Sequence, residues 1–194
     1  MQKRPLRVGL DLDGVILYNP ARIARPIAAL AKKILLRKKK VSFTVPKKKW
    51  EQYIWYLLHK SSIFVAPGFD TIKQLSKDGK IEVYIITGRY SFLKDDLEAW
   101  LKKMGAETFV KKWFYNKNDD QPHTYKEKLV RDLKLDVFIE DNWDIVRHLN
   151  SQLIKENPNL KVFWIYNIFD SKIPYEHKYA TLKKAVESIR EKLL

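Results

Sequence analysis

The sequence predicts an α/β protein in three layers, with a parallel sheet of five strands and a small helical cap inserted after strand 1. Three observations carry this prediction. Short apolar runs alternate with stretches of helical periodicity, the order expected when crossover helices join parallel strands. The run at residues 83–87 is continuously apolar and rich in β-branched residues, which is typical of a strand covered on both faces. Polar side chains directly follow three of the runs, and ligands bind at such strand ends in open parallel sheets.

Composition limits the class of protein. The chain has 194 residues, which suits one domain with a modest insertion, and 45% of them are hydrophobic, enough for a core. It has no cysteine, which excludes a disulfide framework and thiolate chemistry. No run approaches the roughly 18 apolar residues of a membrane span. The basic start is followed by an apolar run that two aspartates interrupt, which makes a poor signal peptide. We therefore expect a cytoplasmic protein with no membrane partner.

The first part of the chain is predicted to contain one strand and then the cap. Its elements are a strand at 7–13, a helix at 20–37, an extended piece at 41–45 and a helix at 46–60. The first helix is predicted from apolar residues at helical spacing, namely Ile23, Ile27, Leu30 and Ile34. Residues 17–65 are thus predicted to form the cap, and residues 1–16 and 66–194 the core.

The rest of the chain alternates between helices and strands. Helices are predicted at 69–78, 92–104, 124–133, 143–155 and 176–192. Strands are predicted at 83–87, 109–115, 137–139 and 162–165. The first of these helices is followed by Gly79, a residue typical of helix C-termini. The alternation predicts a Rossmann-like sheet with helices on both faces.

Positive charge is concentrated in the predicted cap. The chain carries a net charge of +15, from 38 basic and 23 acidic residues. Residues 17–65 hold twelve Lys or Arg and a single acid, Glu51, so this segment alone carries +11. Such a segment is either a solvated surface or a positive field directed at an anion.

The candidate site lies where three predicted strands end. Its polar groups are Asp11 and Asp13, then Thr87-Gly88-Arg89, and then Glu140-Asp141. Buried carboxylates are costly unless they hold a metal, pair with a cation or line an open site. Oxygen ligands without a His or Cys cluster favour Mg²⁺ over zinc. Two carboxylates in one site push their pKa values apart, which suits one nucleophile and one general acid.

Four segments in order resemble the motifs of the haloacid-dehalogenase (HAD) superfamily of phosphohydrolases. Residues 11–15 (DLDGV) are similar to its first motif and residues 85–89 (IITGR) to its second. A lysine near the start of a helix, followed by the acidic pair in residues 137–142 (VFIEDN), resembles the third and fourth. Pro67-Gly68 is similar to the point where a HAD cap returns to the core. The match runs from about residue 6 to residue 170.

The resemblance implies a role for each motif. Asp11 would be the nucleophile that takes the phosphoryl group, and Asp13 the general acid that protonates the leaving oxygen and then activates water. Thr87, followed by Gly88 and Arg89, would bind phosphate.

The resemblance also implies a lysine that neutralises the phosphate and a Mg²⁺ ion. Metal ligands would be Asp11, Asp13 through its backbone carbonyl, Glu140 and Asp141. Either Lys126 or Lys128 could be the lysine. Lys126 is favoured, because it lies three and four residues before the apolar Leu129 and Val130, on the same side of the helix.

Some assignments stay open at the level of sequence. One of Glu140 and Asp141 should bind the metal directly and the other through water or a hydrogen bond. Arg89 could contact phosphate or cap the following helix. Trp55 falls off the apolar stripe that contains Trp50, and an exposed Trp beside lysines could stack on a nucleobase.

The motifs and the small cap look most like the 5′(3′)-deoxyribonucleotidase-like branch of the superfamily. The leading hypothesis is a Mg²⁺-dependent phosphatase, using an aspartyl-phosphate, that acts on a nucleotide or a similar small phosphomonoester, with Trp55 and Asn142 as candidate substrate contacts. One alternative is a phosphatase for nucleic-acid ends, suggested by the basic cap. The other is a non-enzymatic nucleic-acid-binding protein on a HAD scaffold. The four histidines show no ligand spacing and are interpreted as surface or packing residues.

Overall fold

A six-stranded, fully parallel sheet forms the centre of the computed structural model, which describes residues 4–18, 43, 45–60, 62 and 64–194. The strands lie in the order β5-β4-β1-β6-β7-β8. Their bounds are β1 Leu6–Leu10, β4 Ile81–Tyr90, β5 Val110–Asn116, β6 Val137–Glu140, β7 Lys161–Ile165 and β8 Lys178–Tyr179. The five predicted strands correspond to β1, β4, β5, β6 and β7, so the predicted α/β fold is confirmed.

Helices cover both faces of the sheet. They are α1 Lys49–Lys60, α2 Phe69–Lys77, α3 Lys94–Lys103, α4 Pro122–Asp132, α5 Trp143–Leu153 and α6 Leu182–Lys192. Apolar side chains of α2, α3 and α6 pack on one face of the sheet, and those of α4 and α5 on the other. These two clusters make the three layers that the sequence predicts. None of the helices described is long and apolar enough to cross a membrane.

The sixth strand corrects the predicted C-terminal helix. A helix was expected at 176–192, but it begins at Leu182, and Thr181 is its N-cap. The residues just before it extend the sheet instead, because the backbone nitrogens of Trp164 and Tyr166 donate to the carbonyls of His177 and Tyr179, at 2.8 and 3.1 Å. These backbone groups are used in sheet pairing and are therefore not available for a helix.

A two-stranded antiparallel ribbon lies where the chain leaves the core and returns to it. It pairs β2, Leu17–Tyr18, with β3, Phe64–Val65, and the rings of Tyr18 and Phe64 stack with centroids 4.8 Å apart. The second predicted cap helix corresponds to α1. The helix predicted at 20–37 and most of the extended piece at 41–45 lie outside the described residues. The cap boundaries at 17 and 65 therefore stay a prediction.

The register of the central strands brings three chain segments to one edge. Because β1 pairs in parallel with both β4 and β6, its last residue, Leu10, lies opposite Ile85 and Ile139. The segments that follow carry the polar groups singled out from the sequence. We call this side of the sheet the carboxyl edge.

Candidate active site

A buried lysine joins two carboxylates at the carboxyl edge. The Nζ atom of Lys126 lies 3.0 Å from Oδ1 of Asp11 and 2.7 Å from Oε2 of Glu140. All three side chains are buried. Lys126 is in the second turn of α4, which begins with Pro122 at a position where a missing N–H costs nothing. Lys128, the other candidate, is exposed.

Asp13 pairs with a different cation. The guanidinium of Arg89 donates to both carboxylate oxygens of Asp13, from Nε at 2.7 Å and from Nη2 at 2.8 Å. Its Nη1 donates to Asp96 at 2.6 Å. Such a planar, two-point contact orients a carboxylate more tightly than a lysine would. The sequence left two roles open for Arg89, a phosphate contact and a helix cap. The geometry adds another, because the guanidinium orients Asp13.

The end of β4 is irregular at the position that carries Thr87, Gly88 and Arg89. The register with β5 shifts between Thr87 and Tyr90, so Gly88 and Arg89 form a bulge in the strand. Oγ1 of buried Thr87 accepts a 3.2 Å hydrogen bond from the backbone nitrogen of Arg89. A Cβ at Gly88 would lie 3.2 Å from Cβ of Pro122, a tight contact, so the small residue lets β4 approach α4.

The acidic pair after β6 has two different environments. Both oxygens of Glu140 accept protein hydrogen bonds, Oε2 from Lys126 and Oε1 from the backbone nitrogen of Asn142 at 3.0 Å. The Asp141 carboxylate faces Gly14 so closely that a Cβ there would collide with it. The backbone of Asp141 is fixed by a hydrogen bond, because the indole nitrogen of Trp164 donates to its carbonyl oxygen at 3.1 Å.

Asn142 is a helix cap in this structure. Its side-chain oxygen accepts hydrogen bonds from the backbone nitrogens of Asp144 and Ile145, at 3.0 and 3.4 Å, at the start of α5. These are the groups that the first turn of a helix leaves without a helical partner. The predicted substrate contact of Asn142 therefore has no support in the geometry.

Three of the carboxylates could hold a metal ion. Asp11, Glu140 and Asp141 each present an oxygen within 4.8 Å of the others, and all three residues are buried. Lys126 supplies one positive charge to these three carboxylates, which leaves an excess of negative charge that a divalent cation would balance. Hard oxygen donors suit Mg²⁺. The side chain of Asp13 is not part of this cluster, and it is engaged with Arg89 instead.

The electrostatics of the cluster follow from burial. Burial raises the pKa of Asp11 to about 6, although Lys126 acts in the opposite direction. Burial also raises the pKa of Glu140 to about 8, again against the effect of Lys126. The neighbouring carboxylates raise the pKa of Lys126 above its ordinary value, in spite of its own burial. The lysine is therefore charged, and burial favours the protonated form of both carboxyls when no metal is bound.

The orientation of α1 differs from the interpretation of its sequence. The stripe interpreted as packing faces outward, since its members are 38–61% exposed, namely Trp50, Ile54, Leu57 and Leu58. Trp55, interpreted as an exposed Trp, is half-buried with its indole nitrogen inside the protein. Its ring contacts that of His59 edge-on, with centroids 6.1 Å apart. The stacking of a nucleobase on Trp55 stays a prediction.

Sequence reasoning missed Asp96 and His59 at this site, and it missed a contact of Gln121 just before α4. Asp96 holds Arg89 from the first turn of α3. His59 reaches from α1 toward Asp13, with Nε2 at 3.9 Å from Oδ2. Gln121 binds the backbone of Phe43, accepting from its nitrogen at 2.8 Å and donating to its carbonyl at 3.1 Å. Only Asp96 carried a sequence signal, as an acid in a predicted first helical turn.

Comparison with known proteins shows the fold. The structure is similar to the HAD hydrolase YfnB from Bacillus subtilis bound to magnesium, with a TM-score of 0.57, 15% identity and coverage of 97% of this chain and 100% of that one. It is also similar to a variant of CbbY from Rhodobacter sphaeroides in complex with xylulose 1,5-bisphosphate (TM-score 0.55, 12% identity, coverage 92% and 95%). Its fold is thus that of HAD-superfamily hydrolases.

A third similar structure is a chain of the Pnkp1/Rnl/Hen1 RNA repair complex. The TM-score is 0.51 at 14% identity, and the match covers 84% of this chain and 43% of that one. No family model matches the sequence. No curated protein matches it either.

Proposed function

We propose that this protein is a Mg²⁺-dependent phosphomonoesterase of the HAD type that acts through an aspartyl-phosphate. The observation that carries the proposal is the contact of Lys126 with Asp11 and Glu140, beside the oriented carboxylate of Asp13. A nucleophilic carboxylate, a neutralising cation and a second carboxylate two residues away are what this phosphoryl transfer requires.

In the first step, an oxygen of Asp11 forms a bond to phosphorus as the bond from phosphorus to the ester oxygen breaks. Asp13 gives a proton to the departing alcohol oxygen. In the second step, Asp13 takes a proton from water, and the resulting hydroxide attacks phosphorus, so that phosphate leaves and Asp11 is restored. Arg89 keeps Asp13 in place for both transfers, and Lys126 stabilises the phosphoryl oxygens.

Asp11, Asp141 and the backbone carbonyl of Asp13 would hold Mg²⁺ directly. When bound, the ion neutralises charge on the phosphoryl group. Glu140 suits an indirect role, because both of its oxygens already accept hydrogen bonds from Lys126 and Asn142. Thr87 and the neighbouring Gly88 and Arg89 backbone lie at the edge of the site, where they are proposed to bind phosphate.

The proposed substrate is a small phosphorylated metabolite, of which a nucleotide is one class. A phosphatase for nucleic-acid ends is the second candidate. It is favoured by the +11 charge of residues 17–65, together with the fold similarity to a chain of an RNA repair complex. A small-molecule phosphatase should prefer mononucleotides or sugar phosphates, whereas an end phosphatase should act on oligonucleotides with a steep decline in rate as salt increases.

A screen of phosphate release tests these candidates together. Nucleotides, sugar phosphates and oligonucleotides with terminal phosphates are assayed with Mg²⁺ and with EDTA, with Asp11→Asn as the control. Mg²⁺-dependent release that Asp11→Asn abolishes supports the proposal, and the preferred class separates the two candidates. Tight, salt-sensitive binding of nucleic acid with no release from any ester would instead support a non-enzymatic binding protein and overturn the proposal.

A further inference from the structure

His59 directs one ring nitrogen at the proposed general acid. Its Nδ1 atom lies 2.8 Å from the backbone oxygen of Trp55, and its Nε2 atom lies 3.9 Å from Oδ2 of Asp13. A carbonyl oxygen only accepts hydrogen bonds, so Nδ1 carries the hydrogen in that contact. Nε2 is therefore the nitrogen that α1 presents to the carboxyl edge, and its position is set by a contact within the helix.

The distance between His59 and Asp13 is informative. A separation of 3.9 Å is too long for a direct hydrogen bond, but it is short enough for one ligand to contact both side chains with neighbouring polar atoms. Asp13 is the residue proposed to protonate the ester oxygen, and Arg89 holds it from the side of the core. A leaving alcohol that contacts Asp13 through its ester oxygen would therefore bring its adjacent atoms to Nε2 of His59.

A hydroxyl is the substrate group that fits this position. Nε2 offers a lone pair in the neutral ring and an N–H in the charged ring, and a hydroxyl can pair with either because it both donates and accepts. The two oxygens of a vicinal diol lie close to one hydrogen-bond length apart. One of them can thus face Asp13 as the ester oxygen while the other faces His59.

We propose that His59 is a specificity-determining residue that binds a hydroxyl on the carbon next to the ester carbon. The substrates are then phosphate monoesters of vicinal diols, a class that includes polyol phosphates, many sugar phosphates and ribonucleoside 3′-phosphates. Asp13 acts on the ester oxygen of the leaving alcohol, whereas His59 contacts the hydroxyl on the next carbon. This inference rests on the proposed phosphomonoesterase activity.

Two pairs of substrates isolate the hydroxyl. Glycerol 3-phosphate is compared with 3-hydroxypropyl phosphate, and cytidine 3′-phosphate with 2′-deoxycytidine 3′-phosphate, since each pair differs only in the hydroxyl beside the ester carbon. The variant His59→Asn keeps an amide near the position of Nδ1 and removes the group at Nε2, whereas His59→Gln restores a polar group there. His177→Asn is the control, because His177 packs against Phe163 beside β7.

The wild-type protein should favour the hydroxyl-bearing member of at least one pair by about tenfold in kcat/KM, as expected for one added hydrogen bond. In His59→Asn this ratio should fall to near one through a higher KM and lower kcat for the hydroxyl-bearing substrate alone. His59→Gln should recover part of the ratio, and His177→Asn should keep all of it.

The failures of the two proposals are distinguishable. Equal rates within both pairs in the wild-type protein, or an unchanged ratio in His59→Asn, overturn the role of His59. If hydrolysis still depends on Asp11, the phosphomonoesterase proposal is unaffected. An equal loss on both members of a pair also overturns it, because that result indicates a structural effect. Absence of hydrolysis of every ester in the presence of Mg²⁺ overturns both proposals.

Discussion

Arg89 donates to both carboxylate oxygens of Asp13, at 2.7 and 2.8 Å, across 76 positions of sequence. The same guanidinium reaches Asp96 on α3, so a single side chain links the strand end of β4, the loop after β1 and a helix. Arg89 is almost fully buried, and its two carboxylate partners raise its pKa although burial alone would lower it. The arginine is a fixed charge on which the position of Asp13 depends.

Replacing this arginine should impair turnover and folding together. Arg89→Lys cannot make the two-point contact, and we expect kcat to fall by about 100-fold as Asp13 loses its orientation. Arg89→Met leaves two partly buried carboxylates without their cation and should lower the free energy of unfolding by about 3 kcal/mol or more. Steady-state kinetics and urea unfolding measure both effects.

Arg131→Lys is the control for these variants. Arg131 also binds two carboxylates, Glu127 and Glu156, but its side chain is 44% exposed. Its replacement should change the free energy of unfolding by less than about 1 kcal/mol. If Arg89→Lys lowered kcat no more than Arg131→Lys does, the orienting role of Arg89 would be wrong.

Asp11→Asn should remove the nucleophile and leave the fold intact. We expect the rate of phosphate release to fall by about 10⁴-fold, because an amide does not form the acyl phosphate. The thermal unfolding midpoint should stay within a few degrees, since the substitution preserves shape and the hydrogen-bonding oxygen near Lys126. Wild-type rates in this variant would exclude the aspartyl-phosphate mechanism.

Gly14→Ala should weaken Mg²⁺ binding in addition to the loss of stability that its backbone strain causes. Gly14 has a φ of 91°, and a Cβ there would meet the carboxylate of Asp141. We expect a loss of about 2 kcal/mol in stability together with weaker Mg²⁺ binding. Gly79→Ala is the matched control, because Gly79 has a φ of 66° with open space around it and should lose stability alone. Equal effects on metal affinity in the two variants would contradict the contact with Asp141.

The two acids after β6 should differ in their effect on the metal. Asp141→Asn removes a proposed direct ligand and should weaken Mg²⁺ by about 100-fold or more, while Glu140→Gln should weaken it by about 10-fold. Titration calorimetry with Mg²⁺ on the substrate-free protein gives both constants. A larger loss in Glu140→Gln would reverse the assignment.

The buried carboxyl of Asp11 should contribute less to the stability of the metal-free protein as pH rises from about 4 to about 6. Burial raises the pKa of Asp11 to about 6, above the value of about 3.9 in an unfolded chain. Between these values the folded state binds more protons than the unfolded state, so this carboxyl lowers the free energy of unfolding as pH increases. In EDTA, the stability of Asp11→Asn relative to wild type should therefore increase from about pH 4 to about pH 6.

Saturating Mg²⁺ should suppress this difference, because the ion favours the charged carboxylate. Urea unfolding at a series of pH values, with EDTA and with Mg²⁺, measures the difference in free energy of unfolding between the two proteins. Parallel pH profiles of the two proteins in EDTA would contradict the effect of burial on Asp11.

Several features of the site follow from chain-local patterns. Apolar runs predicted five of the six strands of the sheet, and parallel pairing places the ends of such strands on one edge. The segments that carry Asp11, Thr87 and Glu140 were therefore expected to meet. Lys126, favoured over Lys128 from its spacing to the apolar residues of its helix, is the lysine that lies beside Asp11.

Other features depended on which way elements turn and on contacts between distant residues. Helical periodicity identifies a stripe on α1 but not the surface that it faces. Trp50 was therefore interpreted as a packing residue and His59 as a surface or packing residue. The partner of Asp13 and the strand at residues 178–179 also required the tertiary structure. The local sequence determined the elements and the chemistry at their ends, because propensity and periodicity act over a few residues. The pairing of charges was decided only by packing, because it depends on the rotation of each helix and on separations far longer than any periodic pattern.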